Sequence, residues 1–218
     1  MENSLLMKKN SVYIFDLDGT LIDSMPSFTW GMLSVLDDEG IAYPPELIKT
    51  LTALGYVKSA EYYIEHMGVK DTVENIVARI KARMIDLYSN KIKLKPGVEA
   101  YLRRIHAEGA RLFVLTASPH FVTDVNLKNN GVFDLFEQVW SVEDFGLDKS
   151  DTRIFHRVAE IVGCPEAEIH YFDDNVIAIE NSTKAGLDTF AVLDRQDADD
   201  VAAIRATGKH FVETFEAM

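Results

Sequence analysis

Cysteine is almost absent from this chain, since Cys164 is the only one in 218 residues. A single cysteine excludes an intrachain disulfide and is typical of proteins from a reducing compartment. No apolar run reaches the length of a transmembrane helix, and residues 1–9 lack the apolar stretch of a signal peptide. We therefore expect a soluble, cytoplasmic protein.

Basic residues are also scarce, because 22 lysines and arginines stand against 35 acidic residues and give a net charge of −13. Such a charge repels nucleic acid and anionic membrane surfaces, so we expect neither as a partner. The acidity favours solubility and names no partner. The six histidines show no metal-ligand spacing, and no pattern indicates an oligomeric state.

Short apolar runs bounded by turn residues indicate strands that are buried on both faces, as in a parallel sheet. Five such runs predict strands, of which the third is the weakest: 12–15, 112–115, 138–140, 169–172 and 189–192. Helical patterns over 98–107, 152–162 and 176–185 directly precede the second, fourth and fifth of these predicted strands. This alternation predicts an α/β fold with a Rossmann-like parallel sheet.

The stretch after the first strand interrupts this alternation. It contains no obvious strand and has helical patterns over 26–38, 45–54, 58–67 and 72–89. The sequence therefore predicts an all-helical cap domain, residues 23–90, inserted into a discontinuous core of residues 1–22 and 91–218. Lys95-Pro96-Gly97 has the composition of the linker that returns to the core.

Two carboxylates follow the first predicted strand directly. Asp16 and Asp18 are separated by one residue and turn through Gly19. In open α/β sheets ligands bind beyond the carboxyl ends of the strands, where both carboxylates could address one bound group. A plain strand-ending turn would use the same residue types.

Polar or charged residues also follow or separate later strands. Thr116 and Ala117 could donate a hydroxyl and a backbone N–H to a phosphate oxygen, although the same segment could cap a helix. Lys149 could offset negative charge at a phosphate site, although a solvated loop lysine is the simpler interpretation. Asp173 and Asp174 are adjacent carboxylates, which repel each other unless a cation such as Mg²⁺ is present. Capping of a helix by Asp174 or Asn175 is compatible with that role.

In order and spacing, these segments together resemble the haloacid dehalogenase (HAD) superfamily of hydrolases over almost the whole chain. The first motif of that superfamily is matched by Asp16-Leu17-Asp18-Gly19-Thr20, the second by Thr116, the third by Lys149 and the fourth by Asp173-Asp174. The helical insert resembles the C1 cap of the phosphoglycolate phosphatase and β-phosphoglucomutase branch.

The resemblance implies a Mg²⁺-dependent phosphatase that acts on a small phosphorylated metabolite. Asp16 would attack phosphorus and form an aspartyl phosphate, and Asp18 would act first as general acid and then as general base. The ligands of Mg²⁺ would be Asp16, the backbone carbonyl of Asp18, Asp174 and, as a support or a further ligand, Asp173. The phosphoryl group would contact Thr116, Ala117 and Lys149. Tyr56 and Lys58, in a segment that resembles the specificity loop of the cap, are the candidate substrate contacts.

Some positions depart from the family pattern. Ala178 stands where many relatives have a further aspartate, so the support of the fourth motif must come from elsewhere, such as Asp173 or Asn175. Ser150 replaces a common proline. Phe28 stands where β-phosphoglucomutases have a histidine, which weakens a second hypothesis, a sugar-phosphate mutase. A third hypothesis is a non-catalytic phospho-binding module, whereas Asp18 disfavours carbon–halogen chemistry.

Overall fold

The computed structural model describes residues 10–194 and 201–218. The first nine residues, from which the lack of a signal peptide was inferred, lie outside this description. The chain divides into two compact units, one formed by Met1–Asp23 with Lys93–Met218 and the other by Ser24–Ile92. The assignment of residues 23–90 to a cap domain stays a prediction.

A six-stranded, entirely parallel sheet forms the centre of the first unit, with strand order β3-β2-β1-β4-β5-β6. In chain order the strands are β1 (Val12–Phe15), β2 (Arg111–Thr116), β3 (Gln138–Ser141), β4 (Ile169–Asp173), β5 (Asp188–Val192) and β6 (His210–Val212). All four residues of β1 are buried, because β1 lies in the middle of the sheet with β2 on one side and β4 on the other. The predicted α/β fold with a parallel sheet is therefore confirmed.

Eight α-helices are present among the described residues. Those of the second unit are α1 (Met25–Asp38), α2 (Leu47–Met67) and α3 (Val73–Asn90), and those of the first unit are α4 (Val98–Ala107), α5 (His120–Asn129), α6 (Arg153–Val162), α7 (Val176–Lys184) and α8 (Val201–Thr207). None of them combines the length and the apolar character that a membrane span requires.

Amphipathic helices cover the sheet with apolar faces. On α6, Ile154, Phe155 and Val158 are buried at the three- and four-residue spacing of one helix face. They belong to a core cluster with the aromatic residues of β2 and β3, where the rings of Phe113 and Trp140 stack 5.2 Å apart. Each such buried side chain contributes about 1.5–3 kcal/mol relative to exposure. This packing fixes the strands whose carboxyl ends carry the polar residues.

The helical unit has a core of its own. The α3 helix buries Ile76, Ile80, Met84 and Leu87 along one face, and the Tyr63 hydroxyl of α2 donates to the Met32 carbonyl of α1 at 2.6 Å. Gly55 lies inside α2 with non-helical backbone angles, φ 70° and ψ −178°. The separate helices predicted over 45–54 and 58–67 correspond to the two parts of α2 on either side of this glycine.

Candidate active site

Asp16 is the first residue beyond β1 and is almost completely buried. Its backbone N–H donates to the Phe172 carbonyl of β4 at 2.8 Å, so the pairing of β1 with β4 continues through this residue. The parallel register places Asp16 beside Asp173, the last residue of β4. Only 5% of Asp16 and none of Asp173 is exposed. Two carboxylates therefore lie side by side at the same edge of the sheet.

Lys149 joins these two carboxylates. Its ammonium group donates to Asp16 Oδ1 and, at 2.8 Å, to Asp173 Oδ2. The hydroxyl of Tyr171 donates to the same oxygen of Asp173, and the Asn175 backbone N–H donates to the other oxygen at 2.8 Å. Lys149 is thus a doubly paired cation with only 12% of its side chain exposed, and its interpretation as a solvated loop lysine is wrong.

Asp174 completes a group of three carboxylates. One oxygen each from Asp16, Asp173 and Asp174 can be chosen so that all lie within 4.8 Å of one another. The Thr20 hydroxyl donates to Asp174 Oδ1 at 2.9 Å. Gly19 has φ +78°, and a Cβ built there would clash with the Asp174 carboxylate, so any other residue at this turn would displace that carboxylate and strain the backbone.

Burial and mutual repulsion dominate the electrostatics of this group. Burial, with the charges of Asp173 and Asp18, raises the pKa of Asp16 from 3.8 to about 7 although Lys149 opposes the effect. Burial and the neighbouring carboxylates also raise the pKa of Asp174 well above its ordinary range. Burial opposes the charge on Lys149, but Asp16 and Asp173 outweigh it and raise the pKa of this lysine. Three carboxylates against one ammonium leave negative charge that a bound divalent cation would offset.

The loop after β2 approaches the second carboxylate of the Asp16 segment. Ser118 Oγ donates to Asp18 Oδ2 at 2.6 Å, and the Ser118 backbone N–H donates to Thr116 Oγ1 at 3.1 Å. Thr116 is buried, whereas Ala117 is exposed. Since β1 and β2 are adjacent and parallel, Thr116 ends its strand at the edge where Asp16 lies. The structure therefore brings the core site residues predicted from the sequence to one edge of the sheet.

The two candidate substrate contacts lie in the other unit. Tyr56 and Lys58 follow Gly55 within α2, Tyr56 half-buried and Lys58 exposed. Their contact with a substrate stays a prediction.

Several polar residues of the site were given no role from the sequence. Tyr171 supports Asp173, Thr20 supports Asp174 and Ser118 contacts Asp18. Support for the fourth motif comes from Thr20 and from the Asn175 backbone, whereas the Asn175 side chain caps α7 through Ile177 and Ala178. Thr20 belongs to the segment Asp16-Leu17-Asp18-Gly19-Thr20 that resembles the first motif, so its position gave a signal. Tyr171 carried none, because it fits an apolar strand equally well.

With this geometry established, comparison with known proteins gives one consistent result. A family model described as haloacid dehalogenase-like hydrolase matches residues 13–192. The chain is 22% identical over 175 residues to a phosphorylated carbohydrates phosphatase of Thermotoga maritima, covering 80% of this chain and 81% of that protein. It is 26% identical over 188 residues to a phosphoglycolate phosphatase of Psychrobacter arcticus, covering 82% and 81%.

The fold has close counterparts among solved structures. A Thermotoga maritima protein with a provisional β-phosphoglucomutase name superposes with a TM-score of 0.80 at 22% identity, over 94% of this chain and 95% of that one. At this identity the likeness concerns the fold alone. It extends over nearly the whole length of both chains.

Proposed function

The chain belongs to the haloacid dehalogenase-like hydrolase family, in its phosphatase branch, and from this premise we propose a Mg²⁺-dependent phosphatase that acts on a small phosphorylated metabolite through an aspartyl phosphate on Asp16. The observation that supports it most is the arrangement of Asp16. This carboxylate is buried, lies next to two further carboxylates and is paired with Lys149.

The proposed reaction has two halves. A carboxylate oxygen of Asp16 attacks phosphorus, the bond between phosphorus and the leaving oxygen breaks, and Asp18 donates its proton to that oxygen. Asp18 then accepts a proton from a water molecule that attacks the aspartyl phosphate, and inorganic phosphate leaves Asp16. Ser118, which donates to Asp18 Oδ2 at 2.6 Å, limits the directions that the carboxylate can take.

The same edge of the sheet supplies charge for the transferred group. Phosphoryl transfer depends mainly on positioning and on neutralisation of negative charge. Lys149 contributes one ammonium group, and Thr116 with Ala117 forms the loop proposed to contact the phosphoryl oxygens. Tyr171 holds Asp173 in place while Lys149 exchanges its contact with Asp16 for the incoming substrate.

The carboxylate group fits a magnesium ion. Mg²⁺ binds hard oxygen ligands and takes one or a few carboxylates while it keeps several waters. The proposed ligands are Asp16, Asp174 and the backbone carbonyl of Asp18, with Asp173 as a support or a further ligand. The ion would offset the repulsion between Asp16 and a phosphate dianion.

The names of the relatives support a proposal for the size and class of the substrate. The two curated relatives act, by their names, on phosphorylated carbohydrates and on phosphoglycolate. We propose a substrate of similar size for this chain, with the helical unit as a cap and with Tyr56 and Lys58 as its substrate contacts. The cytoplasmic location expected from the sequence also stays a prediction.

The test uses hydrolysis of p-nitrophenyl phosphate by the purified protein with Mg²⁺ and with EDTA. We expect Mg²⁺-dependent turnover that Asp16→Asn abolishes, whereas Asp134→Asn, an exposed site that changes charge equally, leaves it intact. Activity that survives in Asp16→Asn would contradict the assignment of the nucleophile. A panel of phosphorylated metabolites then separates a phosphatase from a mutase. A phosphatase releases inorganic phosphate, whereas a mutase transfers the phosphoryl group to a sugar phosphate.

A further inference from the structure

A second largely buried lysine lies close to the site and has no part in the proposed chemistry. Lys95 belongs to the segment that re-enters the first unit, where its backbone N–H donates to the Leu21 carbonyl at 2.9 Å. The neighbouring residues Ile22 and Leu94 form an antiparallel bridge. Only 14% of the Lys95 side chain is exposed. A buried ammonium group is costly unless it is fully hydrogen-bonded.

The Lys95 ammonium group has three oxygen partners from two different segments. It donates to the Gly19 carbonyl, to the Leu193 carbonyl at 3.2 Å and to Asp194 Oδ1 at 3.4 Å. Three acceptors match the three N–H bonds of an ammonium group. Two carbonyls and a carboxylate are also the kind of oxygen ligands that bind a monovalent cation.

One of these partners belongs to the turn that carries the site. Gly19 separates Asp18 from Thr20, and Thr20 donates to Asp174. On one side, the turn packs so closely against the Asp174 carboxylate that no Cβ fits at Gly19. On the other side, the Gly19 carbonyl is held by Lys95. The segment after β5, through Leu193 and Asp194, supplies the fixed support for this contact.

We propose that Lys95 is a positioning residue whose ammonium group acts as a tethered monovalent cation. It links the turn at Gly19 to the segment that follows β5. This link keeps Asp18 and Asp174 in the positions that catalysis requires. The lysine touches neither substrate nor metal ligand side chains in this role. Its removal leaves three oxygen acceptors facing one another without a cation, and the turn relaxes away from the sheet edge.

The experiment rests on the proposed phosphatase activity and compares Lys95→Ala with Lys93→Ala, its exposed neighbour in the same segment. We expect Lys95→Ala to lower kcat for p-nitrophenyl phosphate by about 10- to 100-fold, the effect of a misplacement of about 1 Å, with KM changed by less than about twofold. Lys93→Ala should keep the wild-type values. A small KM effect separates lost positioning from lost binding.

A chemical rescue then tests the cation itself. Propylammonium replaces the atoms that Lys95→Ala removes, and tetramethylammonium at equal ionic strength is the control because it cannot donate hydrogen bonds. We expect propylammonium to raise kcat of Lys95→Ala by at least about threefold, a partial recovery of the positioning effect. It should leave the wild type and Lys93→Ala unchanged.

Several outcomes would overturn the proposal. One such outcome is a kcat of Lys95→Ala equal to that of Lys93→Ala. Another is a folded Lys95→Ala variant whose lowered kcat does not recover with propylammonium. If Lys95→Ala does not fold, Lys95→Arg and Lys95→Gln decide, since equal kcat values for the cationic and the neutral variant refute a role of the charge. If the wild type shows no turnover, the proposed function fails by itself. The cation site is then tested without activity, by the thermal unfolding temperature of Lys95→Ala. Propylammonium should raise this temperature, and no increase refutes the site.

Discussion

Replacement of Asp16 by asparagine should make the metal-free protein more stable, although it abolishes catalysis. Burial, together with the neighbouring carboxylates, raises the pKa of Asp16 from 3.8 to about 7 in the folded protein. Between pH 3.8 and pH 7 the native state binds more protons than the unfolded state, so its stability falls as the pH rises. Above pH 7 the folded protein bears the full free-energy cost of the ionised, buried Asp16 carboxylate.

The size of the effect follows from the same values. A pKa of about 7 instead of 3.8 corresponds to a cost of about 4 kcal/mol at pH 8 and about 1.5 kcal/mol at pH 5. Asparagine has the same shape, removes the charge and can still accept a hydrogen bond from Lys149. The attraction to Lys149 is already part of this pKa, so no further loss is subtracted, and we expect a net gain of about 4 kcal/mol at pH 8.

The assay is urea denaturation in EDTA, at pH 8 and at pH 5, followed by circular dichroism. Asp134→Asn is the matched control for the change in net charge. The gain in the free energy of unfolding of Asp16→Asn at pH 8 should be at least twice the gain at pH 5. Saturating Mg²⁺ should stabilise the wild type and so reduce the difference in unfolding free energy between the two proteins. A variant that is no more stable than Asp134→Asn at pH 8, or one with equal gains at both pH values, would refute the electrostatic account.

Three further predictions concern single contacts. Gly97→Ala should destabilise the protein by about 2 kcal/mol or more, because Gly97 has φ +83° and a Cβ would clash with the backbone nitrogen of Glu216; an unchanged thermal unfolding temperature would contradict this. Thr20→Val removes the hydroxyl that donates to Asp174 and should raise the Mg²⁺ concentration for half-maximal turnover about tenfold; wild-type Mg²⁺ dependence would exclude this role. The hydrogen bond to Asp144 raises the pKa of His120, so this histidine contributes stability below its ordinary pKa and loses it as the pH rises through the raised value. His120→Gln should therefore be less stable than the wild type at pH 6 and equally stable at pH 9 by urea denaturation, and equal stability at both would refute the contribution.

The central strands were predictable because their patterns are strong. Residues 12–15 are a continuous apolar run and residues 169–172 are interrupted only by His170, and both form strands of the buried middle of the sheet. The strand at 210–212 was missed since it has three residues and lies at the sheet edge, where an exposed histidine breaks the apolar pattern. Helix α5 was considered only through a possible cap before His120, because it buries Thr123 and Asn126, polar residues that hide its inner face.

Within the site, residue type and position in the motif were sufficient for the carboxylates but not for their supports. Asp16 and Asp174 follow buried strands, where parallel topology forces them to one edge. Lys95 resembles its neighbours Lys91 and Lys93 in the sequence, and only the three-dimensional arrangement distinguishes a buried ammonium group from two exposed ones. Tyr171 was read as a core side chain, and its hydroxyl became relevant only through the contact with Asp173.

The central position of β1 has a consequence for folding of the protein. This strand precedes both of its neighbours in the chain, which are formed by residues 111–114 and 169–172. Since its partners are so distant in the chain, closure of these loops makes folding slow compared with that of a helical bundle. Until residues 169–172 are available β1 therefore stays unpaired on one side, and an unpaired apolar strand favours aggregation. Contacts within the helical unit, such as that of Tyr63 with Met32, join residues that are closer in the chain than β1 and its partners, so this unit can form before β1 is paired.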